Sequence, residues 1–399
     1  MAPVVSHPRR RLAAMRVCLV YDCLYPYTIG GAERWYRNLA ERLAESGHEV
    51  TLLTLRQWPR GERPDLPGVR VVAAGPRMEF YTSGRRRIAP PLVFGAGVLW
   101  HLLRHGRRYD VVHTASFPYF SLLAAGALRR LRGYRLVVDW HELWTRDYWR
   151  EYLGRAGGAA GWWVQRRCVR LRQRAYAFSR LHARRLRDEG LRGDVRVLEG
   201  EYRGALEPRG PEPPEPVVVF AGRHIPEKRA PALVPGIALA RETIPSLRAD
   251  VFGDGPDRPE VERAVHELGL EGVVHVHGFV DADTVDRALG RALCMALPSR
   301  REGYGLVVVE AASRGTPSVV VADPDNAATE LVEEGENGTI AASASPEDLA
   351  AAIVRIHEAG PALRDRTAEW FARNAARLSI ESSLDAVAAD YAREPSARS

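Results

Sequence analysis

The stretch Leu297-Pro-Ser-Arg-Arg-Glu-Gly-Tyr-Gly-Leu-Val-Val-Val-Glu-Ala-Ala-Ser-Arg-Gly-Thr-Pro317 decides how the rest of the chain is interpreted. An apolar run ends at Pro298, a loop containing Gly303 and Gly305 follows, and a helix is predicted to begin at Leu306. Such a loop presents backbone N–H groups at a helix N-terminus, where an anion is favoured. The pattern predicts a strand, a glycine-rich loop and a helix that together receive a phosphate-bearing ligand.

Two glutamates belong to this stretch, Glu302 in the loop and Glu310 inside the predicted helix. Their separation lets one carboxylate face the reacting end of a ligand while the other reaches a ribose diol. A helix with one exposed glutamate and one glutamate that complements the helix dipole would show the same spacing. The pair therefore needs support from other parts of the chain.

That support comes from three further motifs that precede the stretch: Gly30-Gly31-Ala32-Glu33, Gly222-Arg223 with Glu227-Lys228, and Gly253-Asp254-Gly255-Pro256. With them the chain resembles the retaining GT-B glycosyltransferases of family 4, the glycosyl transferases group 1. The resemblance implies an α/β fold of two Rossmann-like, doubly wound parallel-sheet domains that face each other across a cleft. It also implies transfer of a hexose-type sugar from a UDP- or GDP-linked donor to a hydroxyl acceptor.

Composition shifts divide the chain into segments. Prolines and glycines in charged company make 204–216 a stiff linker. We predict a disordered extension at 1–14, an N-terminal Rossmann-like acceptor domain at 15–203 and a C-terminal donor domain at 217–378. Residues 379–399 are predicted to be a helix that crosses back to the first domain, followed by a tail.

The second half supplies most of the candidate donor site. Arg223 offers a planar fork and Lys228 a compact charge, which suits the pair to a diphosphate. Lys228 is also the only lysine among 57 basic residues. The resemblance implies that Glu302 positions the donor hexose and Glu310 binds the ribose. The remaining donor-binding candidates of this half are Gly253, Gly255, Gly303, Tyr304, Gly305 and Leu306.

The first half is expected to complete the site. The resemblance places Gly30 and Gly31 against the donor phosphates and His141, which follows a predicted strand, beside the donor sugar as a catalytic residue. His113 is likewise predicted to end a strand. The aromatic side chains Trp144, Tyr148 and Trp149 are candidates for the acceptor site, although amphipathic residues at a domain surface would show the same composition.

Cysteine and aspartate usage give no indication of a metal site. Cys18, Cys23, Cys168 and Cys294 form no CxxC pair, so neither zinc nor a disulfide framework is predicted. The pairs Asp281/Asp283 and Asp323/Asp325 are interpreted as turn and cap residues. We expect no metal and no other cofactor. No secretory signal and no membrane-spanning run is found, and a cytoplasmic location is expected.

Charge is unevenly distributed, although the net charge is only +7. Residues 1–200 contain 36 arginines and 17 acidic residues, whereas 201–399 contain 21 basic and 33 acidic residues. Either the basic half contacts an anionic membrane at its inner face, or it is an arginine-rich surface without a partner. Nine arginines in 162–188 predict one long amphipathic helix or two. Nucleic-acid binding is not predicted, because no recognition motif accompanies the arginines.

Two other functions stay open. A nucleotide-sugar 2-epimerase shares the two-domain fold, and a non-catalytic module would bind a nucleotide sugar without turning it over. The paired cations together with Glu302 and Glu310 favour the transferase, since that class of epimerase does not carry this set. The acceptor is not specified by the sequence: a lipid-linked acceptor, a cell-surface saccharide and a natural product all remain alternatives.

Overall fold

The computed structural model of the protein describes residues 14–28, 30–82, 85–208 and 213–393. The predicted N-terminal extension, apart from its last residue, lies outside the described residues. The same is true of the tail after Arg393 and of 209–212 within the predicted linker.

The first half of the described chain contains a seven-stranded parallel sheet in the order β3-β2-β1-β6-β7-β8-β9. Its central strands are buried on both faces, as apolar runs in a parallel sheet require. The strands β4 and β5 pair only with each other. The strands are β1 (Arg16–Val20), β2 (Glu49–Thr54), β3 (Val69–Ala73), β4 (Tyr81–Thr82), β5 (Arg85–Arg86), β6 (Val111–Ala115), β7 (Arg135–Trp140), β8 (Arg174–Ala177) and β9 (Val195–Val197).

The helices of this half connect successive strands. They are α1 (Gly31–Glu45), α2 (Ala89–His105), α3 (Tyr119–Arg132), α4 (Arg146–Val169) and α5 (Arg180–Asp188), with a 3-10 turn at Gly106–Arg108. Of the two alternatives for 162–188, the single long helix is wrong: the segment contains the end of α4 and all of α5, with the strand β8, which was not predicted, between them. Ala175 and Tyr176 of this strand are fully buried, while the Arg174 guanidinium bonds Asp390 at 2.7 Å. Because β8 begins with Arg174 in an arginine-rich segment, the charge pattern gave no indication that a buried strand lies here.

The second half contains a six-stranded parallel sheet within the described residues, in the order β12-β11-β10-β13-β15-β17. The short strands β14 and β16 form a separate parallel pair. The strands are β10 (Val217–Ala221), β11 (Arg248–Phe252), β12 (Val274–Gly278), β13 (Cys294–Leu297), β14 (Arg301–Glu302), β15 (Ser318–Val321), β16 (Asp325–Asn326) and β17 (Gly338–Ala341). Two doubly wound α/β sheets confirm the predicted fold class.

The helices of the second half cover its sheet, with the exception of the last one. They are α6 (Ala230–Thr243), α7 (Arg258–Glu267), α8 (Ala282–Arg291), α9 (Leu306–Ala312), α10 (Pro346–Ala359), α11 (Pro361–Leu378) and α12 (Ile380–Arg393), with a 3-10 helix at Ala327–Leu331. No helix in the part of the chain that the structure describes is long and apolar enough to span a membrane.

Helix α12 packs into the core of the first sheet, through Ile380, Leu384, Val387 and Tyr391. The chain therefore passes between the two halves twice. The two passages touch, because Tyr202 N–H donates to the Leu378 carbonyl at 2.9 Å and Ile380 N–H donates to the Tyr202 carbonyl at 2.8 Å.

A buried polar network fixes α12 in place. His113 lies inside β6, not at its end as predicted, and its Nδ1 is 2.7 Å from the Tyr391 hydroxyl. Its Nε2 is 2.7 Å from Asp139, whose other oxygen accepts from Trp35 Nε1 at 2.7 Å. Burial alone would raise the pKa of Asp139, but His113 and Trp35 outweigh burial and hold this pKa low.

Replacing Tyr391 with Phe should destabilise the first half. The buried His113 Nδ1 then loses its partner, which costs about 1–3 kcal/mol of unfolding free energy. Urea unfolding followed by tryptophan fluorescence measures the change. Tyr152→Phe is the matched control, since Tyr152 is 46% exposed. Equal unfolding midpoints for the two variants would show that the network does not hold α12.

Candidate active site

Glu302 lies in β14 with only 6% of its surface exposed. Its Oε1 accepts from Lys228 Nζ at 2.5 Å and from the Ser299 hydroxyl at 2.7 Å. A buried carboxylate requires such partners, because its desolvation is otherwise uncompensated. Two residues that the sequence placed in one site, Glu302 and Lys228, are therefore in direct contact.

The next residue brings the two halves of the protein together. A Cβ atom on Gly303 would lie 2.8 Å from the His141 carbonyl oxygen and 3.0 Å from Glu142 Cγ, so only glycine fits without a shift. His141 follows directly after β7, at the carboxyl edge of the first sheet. The loop that carries Glu302 thus meets the predicted sugar-side histidine across the cleft.

His141 is neutral near pH 7. Burial lowers the pKa of its imidazole against the opposing pull of Asp139. Its ring stacks on Phe178 with 4.2 Å between centroids. Its buried Nε2 has no hydrogen-bond partner among the described residues. A neutral, fixed imidazole with one unused nitrogen is suited to bond a sugar hydroxyl.

Arg223 is exposed on the loop between β10 and α6, the loop that also carries Lys228. Gly253 and Gly255, which were predicted to bind the donor, pack against the backbone of this loop. A Cβ on Gly253 would lie 1.9 Å from the Gly222 carbonyl, and one on Gly255 would lie 2.3 Å from the His224 carbonyl. Within the protein their role is to let the loop of Arg223 pack closely.

A cavity of about 660 Å³ lies between the two halves. The first half lines it with Gly30, Gly31 and Arg34, and the second half with Leu306 and Glu310. Four of these five residues were predicted to bind the donor. Burial raises the pKa of the Glu310 carboxyl, while Arg34 acts in the opposite direction.

The remaining predicted residues fall outside the lining of this cavity. Lys228, Glu302 and His141 form a second group through the contacts described above, and the loop from Glu302 into α9 joins this group to the cavity. Arg223 shares a loop with Lys228, but within the described residues its side chain makes no hydrogen bond with this group. Tyr304 in that loop is buried, and its hydroxyl donates to the Glu199 carbonyl of the first half at 2.5 Å.

Among the charged residues of the cavity, sequence reasoning assigned Glu310 alone to the site and missed Arg34, Glu201, Arg203, Glu207, Asp283, Asp286 and Arg314. Arg34 lies one turn into α1, close behind Gly30 and Gly31, which is a signal that could have been used. Glu201 and Arg203 border the predicted linker and carried no signal. Burial raises the pKa of Glu201 to about 7, although Arg203 opposes this rise.

The aromatic candidates for the acceptor site pack against the second half. The Arg301 guanidinium lies 3.9 Å from the centroid of the Tyr148 ring and 4.7 Å from that of Trp144. The Tyr148 hydroxyl donates to Glu227. Trp149 belongs to the first core and is 4% exposed. An acceptor role for the three rings stays a prediction. Trp144 and Tyr148 join the two halves through Arg301, whereas Trp149 packs inside the first half.

Groups of three or more His, Cys, Asp or Glu side chains arranged to hold a metal ion are not found within the described ranges. The charged side chains that line the cavity are arginines, glutamates and the two aspartates Asp283 and Asp286.

Two parallel α/β sheets, with a cleft lined from both sides by glycines, cations and glutamates, define the class of GT-B glycosyltransferases. The family models agree: the model "Glycosyltransferase Family 4" matches residues 29–200 and the model "Glycosyl transferases group 1" matches residues 206–375. The chain belongs to the group 1 glycosyltransferases.

Individual relatives cover different shares of the chain. The chain is 27% identical over 394 residues to a glycogen synthase of Mycobacterium tuberculosis, covering 93% of this chain and 91% of the relative. It is 29% identical over 177 residues to an alpha-D-kanosaminyltransferase of Streptomyces kanamyceticus, which covers 44% of this chain and 45% of that protein. The chain thus spans less than half the length of the latter relative.

Among solved structures, Anabaena HepE in complex with UDP and glucose superposes with a TM-score of 0.66. The identity is 19%, and the superposition covers 95% of this chain and all of HepE. At this identity the similarity establishes the GT-B fold alone.

Replacing Gly253 with Ala should move the loop that holds Arg223. Gly253 has φ of 115°, and the added Cβ would collide with the Gly222 carbonyl. Gly272→Ala is the matched control, because its φ is also positive (78°) but its Cβ would meet no atom within 4 Å. We expect the control to cost about 1–2 kcal/mol and Gly253→Ala to cost clearly more, measured by urea unfolding. Equal losses would show that the contact with Gly222 is unimportant.

Replacing Glu201 with Gln should raise stability at pH 8 and leave it nearly unchanged at pH 4.5. The folded-state pKa of about 7 lies above the ordinary value of the unfolded chain, so the folded protein binds a proton that the unfolded chain has released. Stability therefore falls as pH rises towards 7, and the amide removes this loss. Thermal unfolding at both pH values measures it, with the exposed Glu358→Gln as control. A gain that does not depend on pH would contradict the assignment.

Proposed function

We propose that the protein is a retaining, metal-independent glycosyltransferase that moves a hexose-type sugar from a UDP- or GDP-linked donor to a hydroxyl acceptor. The observation that carries this proposal is the buried contact of Lys228 with Glu302, one residue away from the contact of Gly303 with His141. A cation, a carboxylate and a neutral imidazole then lie on the two sides of one cleft.

The cations are assigned to the diphosphate of the donor. Charge accumulates on this group as the bond to the sugar breaks, and fixed cations that face it stabilise the transition state. Arg223 is exposed, and against the effect of burial its charge helps to lower the pKa of the nearby Glu227. Its guanidinium is therefore accessible to a phosphate at this side of the cleft. Lys228 can share its ammonium between Glu302 and a phosphate, because it has three N–H donors. These two side chains would do what a metal ion does in other transferases.

Glu310 is assigned to the nucleoside ribose. Its carboxyl lines the cavity with Leu306, opposite Gly30 and Gly31 of the first half. HepE, which has the same fold, was crystallised with UDP and glucose. This complex supports a nucleoside diphosphate as the part of the donor that the cavity binds. A carboxylate that accepts two hydroxyl donors suits a ribose diol.

Glu302 and His141 are assigned to the donor hexose. In the proposed reaction the acceptor hydroxyl attacks the anomeric carbon from the face that the diphosphate leaves. The bond from that carbon to the acceptor oxygen forms while its bond to the phosphate oxygen breaks, and a phosphate oxygen takes the hydroxyl proton. The anomeric configuration is then retained.

Replacing Lys228 with Ala should lower the transfer rate by orders of magnitude, and circular dichroism checks that the variant is folded although Glu302 has lost its cation. Removal of a positioned charge at the transition state costs on the order of 100-fold or more in kcat. Arg263→Ala is the matched control, since Arg263 is an exposed cation on α7, away from the cleft. Thermal shift with a panel of nucleoside diphosphates selects the donor base, and a transfer assay with the matching nucleotide sugar measures the rate.

Near-normal transfer by Lys228→Ala would rule out the assignment of the diphosphate site. We also expect transfer to persist in excess EDTA, and its loss would overturn the metal-independent part of the proposal. Incubation with UDP-N-acetylglucosamine alone separates the two enzyme classes, because a 2-epimerase converts it without any acceptor and a transferase does not.

A further inference from the structure

Helix α2 presents an apolar face to solvent. Ile88, immediately before the helix, is 68% exposed, and Leu92, Leu99 and Trp100 are 47%, 38% and 57% exposed. Their spacing of four, seven and eight positions places them on one side of the helix. The opposite side is apolar too, because it packs into the core of the first sheet through Phe94, Val98 and Leu102. We call the exposed side, Ile88 to Trp100, the α2 stripe.

Arginines flank the α2 stripe, and acidic residues are missing from this part of the sequence. Residues 87–109 contain no Asp or Glu. Arg104, Arg107 and Arg108 are exposed at the C-terminal end of the helix. The Arg104 guanidinium lies 4.0 Å from the centroid of the Trp100 ring, so the charge and the exposed ring form one surface.

We propose that the α2 stripe docks the protein onto the surface of an anionic lipid bilayer. Helices that lie in a membrane interface combine Leu, Ile and Trp on one face with arginines beside them, and they bind anionic lipids preferentially. Four large apolar side chains that face water give the protein no stability. In a bilayer these side chains would be buried between the lipid headgroups, and the guanidinium groups would bond the lipid phosphates. Charge complementarity thus selects anionic lipid over an apolar protein groove.

The α2 stripe lies within the basic half of the chain, for which membrane contact was one of the two alternatives. The arginine-rich segment 162–188 includes β8, whose side chains are buried in the sheet, so it cannot lie as a whole on a membrane. Helix α2 carries the apolar residues that this segment lacks on a single face.

Helix α2 also lies next to the carboxyl end of β3, which it contacts through the side opposite the α2 stripe. A Cβ on Gly97 would overlap the Ala74 carbonyl, which directly follows β3. The carboxyl ends of parallel strands are where ligands bind in such sheets. Helix α2 therefore separates the exposed α2 stripe on its outer side from the ligand-binding edge of the sheet on its inner side.

Vesicle co-sedimentation of the full chain tests the proposal without donor or acceptor, so its outcome is independent of the proposed enzyme activity. We expect binding to vesicles of phosphatidylcholine mixed with phosphatidylglycerol, weaker binding in high salt, and little binding to phosphatidylcholine alone. The double variant Leu92→Glu/Trp100→Glu should weaken binding at least about tenfold. Arg104→Glu/Arg107→Glu should do the same while keeping the apolar residues.

Phe279→Glu is the matched control, because Phe279 is a 78% exposed aromatic residue in the second half. It should bind the anionic vesicles as the unchanged protein does, and circular dichroism should show all variants folded. No binding, equal binding to neutral vesicles, or full binding by either double variant would overturn the proposal. So would sedimentation velocity that shows a dimer dissociated by Leu92→Glu/Trp100→Glu, since the α2 stripe would then be a contact between copies.

Discussion

The buried contact of Glu302 with Lys228 is the constraint on which the rest of the site depends. A carboxylate that is almost entirely removed from water must keep a cation beside it, because an unpaired buried charge is far more costly than the pair. This requirement fixes the loop between β10 and α6 relative to β14. The same loop carries Arg223, and Gly253 and Gly255 support it from behind. One ion pair thus positions the cations and the glutamate loop together.

The uneven charge of the chain is used in two different ways. Across the cleft, Arg185 of the basic half pairs with Asp325, and Glu330 accepts from the backbone N–H groups of Arg180 and Leu181 at 2.7 and 2.6 Å. Other contacts run in the opposite direction, since Arg301 of the acidic half pairs with Glu142 at 2.7 Å. The two halves are therefore joined by ion pairs in which either half can supply the cation. Part of the positive excess stays on the outer surface, beside the exposed side of α2.

Much of the fold could be predicted because its elements have strong local signals. Apolar runs followed by glycines located the central strands and the loop of Glu302. The strand β8 was missed because Arg174 and its neighbours are basic, and their charge is neutralised by Asp390, more than 200 positions away in the chain. Local composition contains no information about such a distant partner.

The site shows the same division. Glycines and paired charges in motifs led to the prediction of Gly30, Gly31, Lys228, Glu302 and Glu310 as site residues. The structure brings Lys228 to Glu302 and Gly30 to the cavity of Glu310. Glu201 and Arg203 have no motif, because they reach the cavity only through the path of the connecting segment. The contact of Tyr148 with Arg301 likewise depends on how the two halves close, which no single segment encodes.

The return of α12 to the first sheet has a mechanical consequence. The two connections between the halves are hydrogen-bonded to each other at Tyr202, Leu378 and Ile380, so they form a two-stranded spine. A single connection would let one half rotate freely about it. Two connections that are hydrogen-bonded to each other restrict the halves to a hinge motion about one axis. The groups of the two halves that face each other across the cleft would then reach the same relative positions each time the cleft closes.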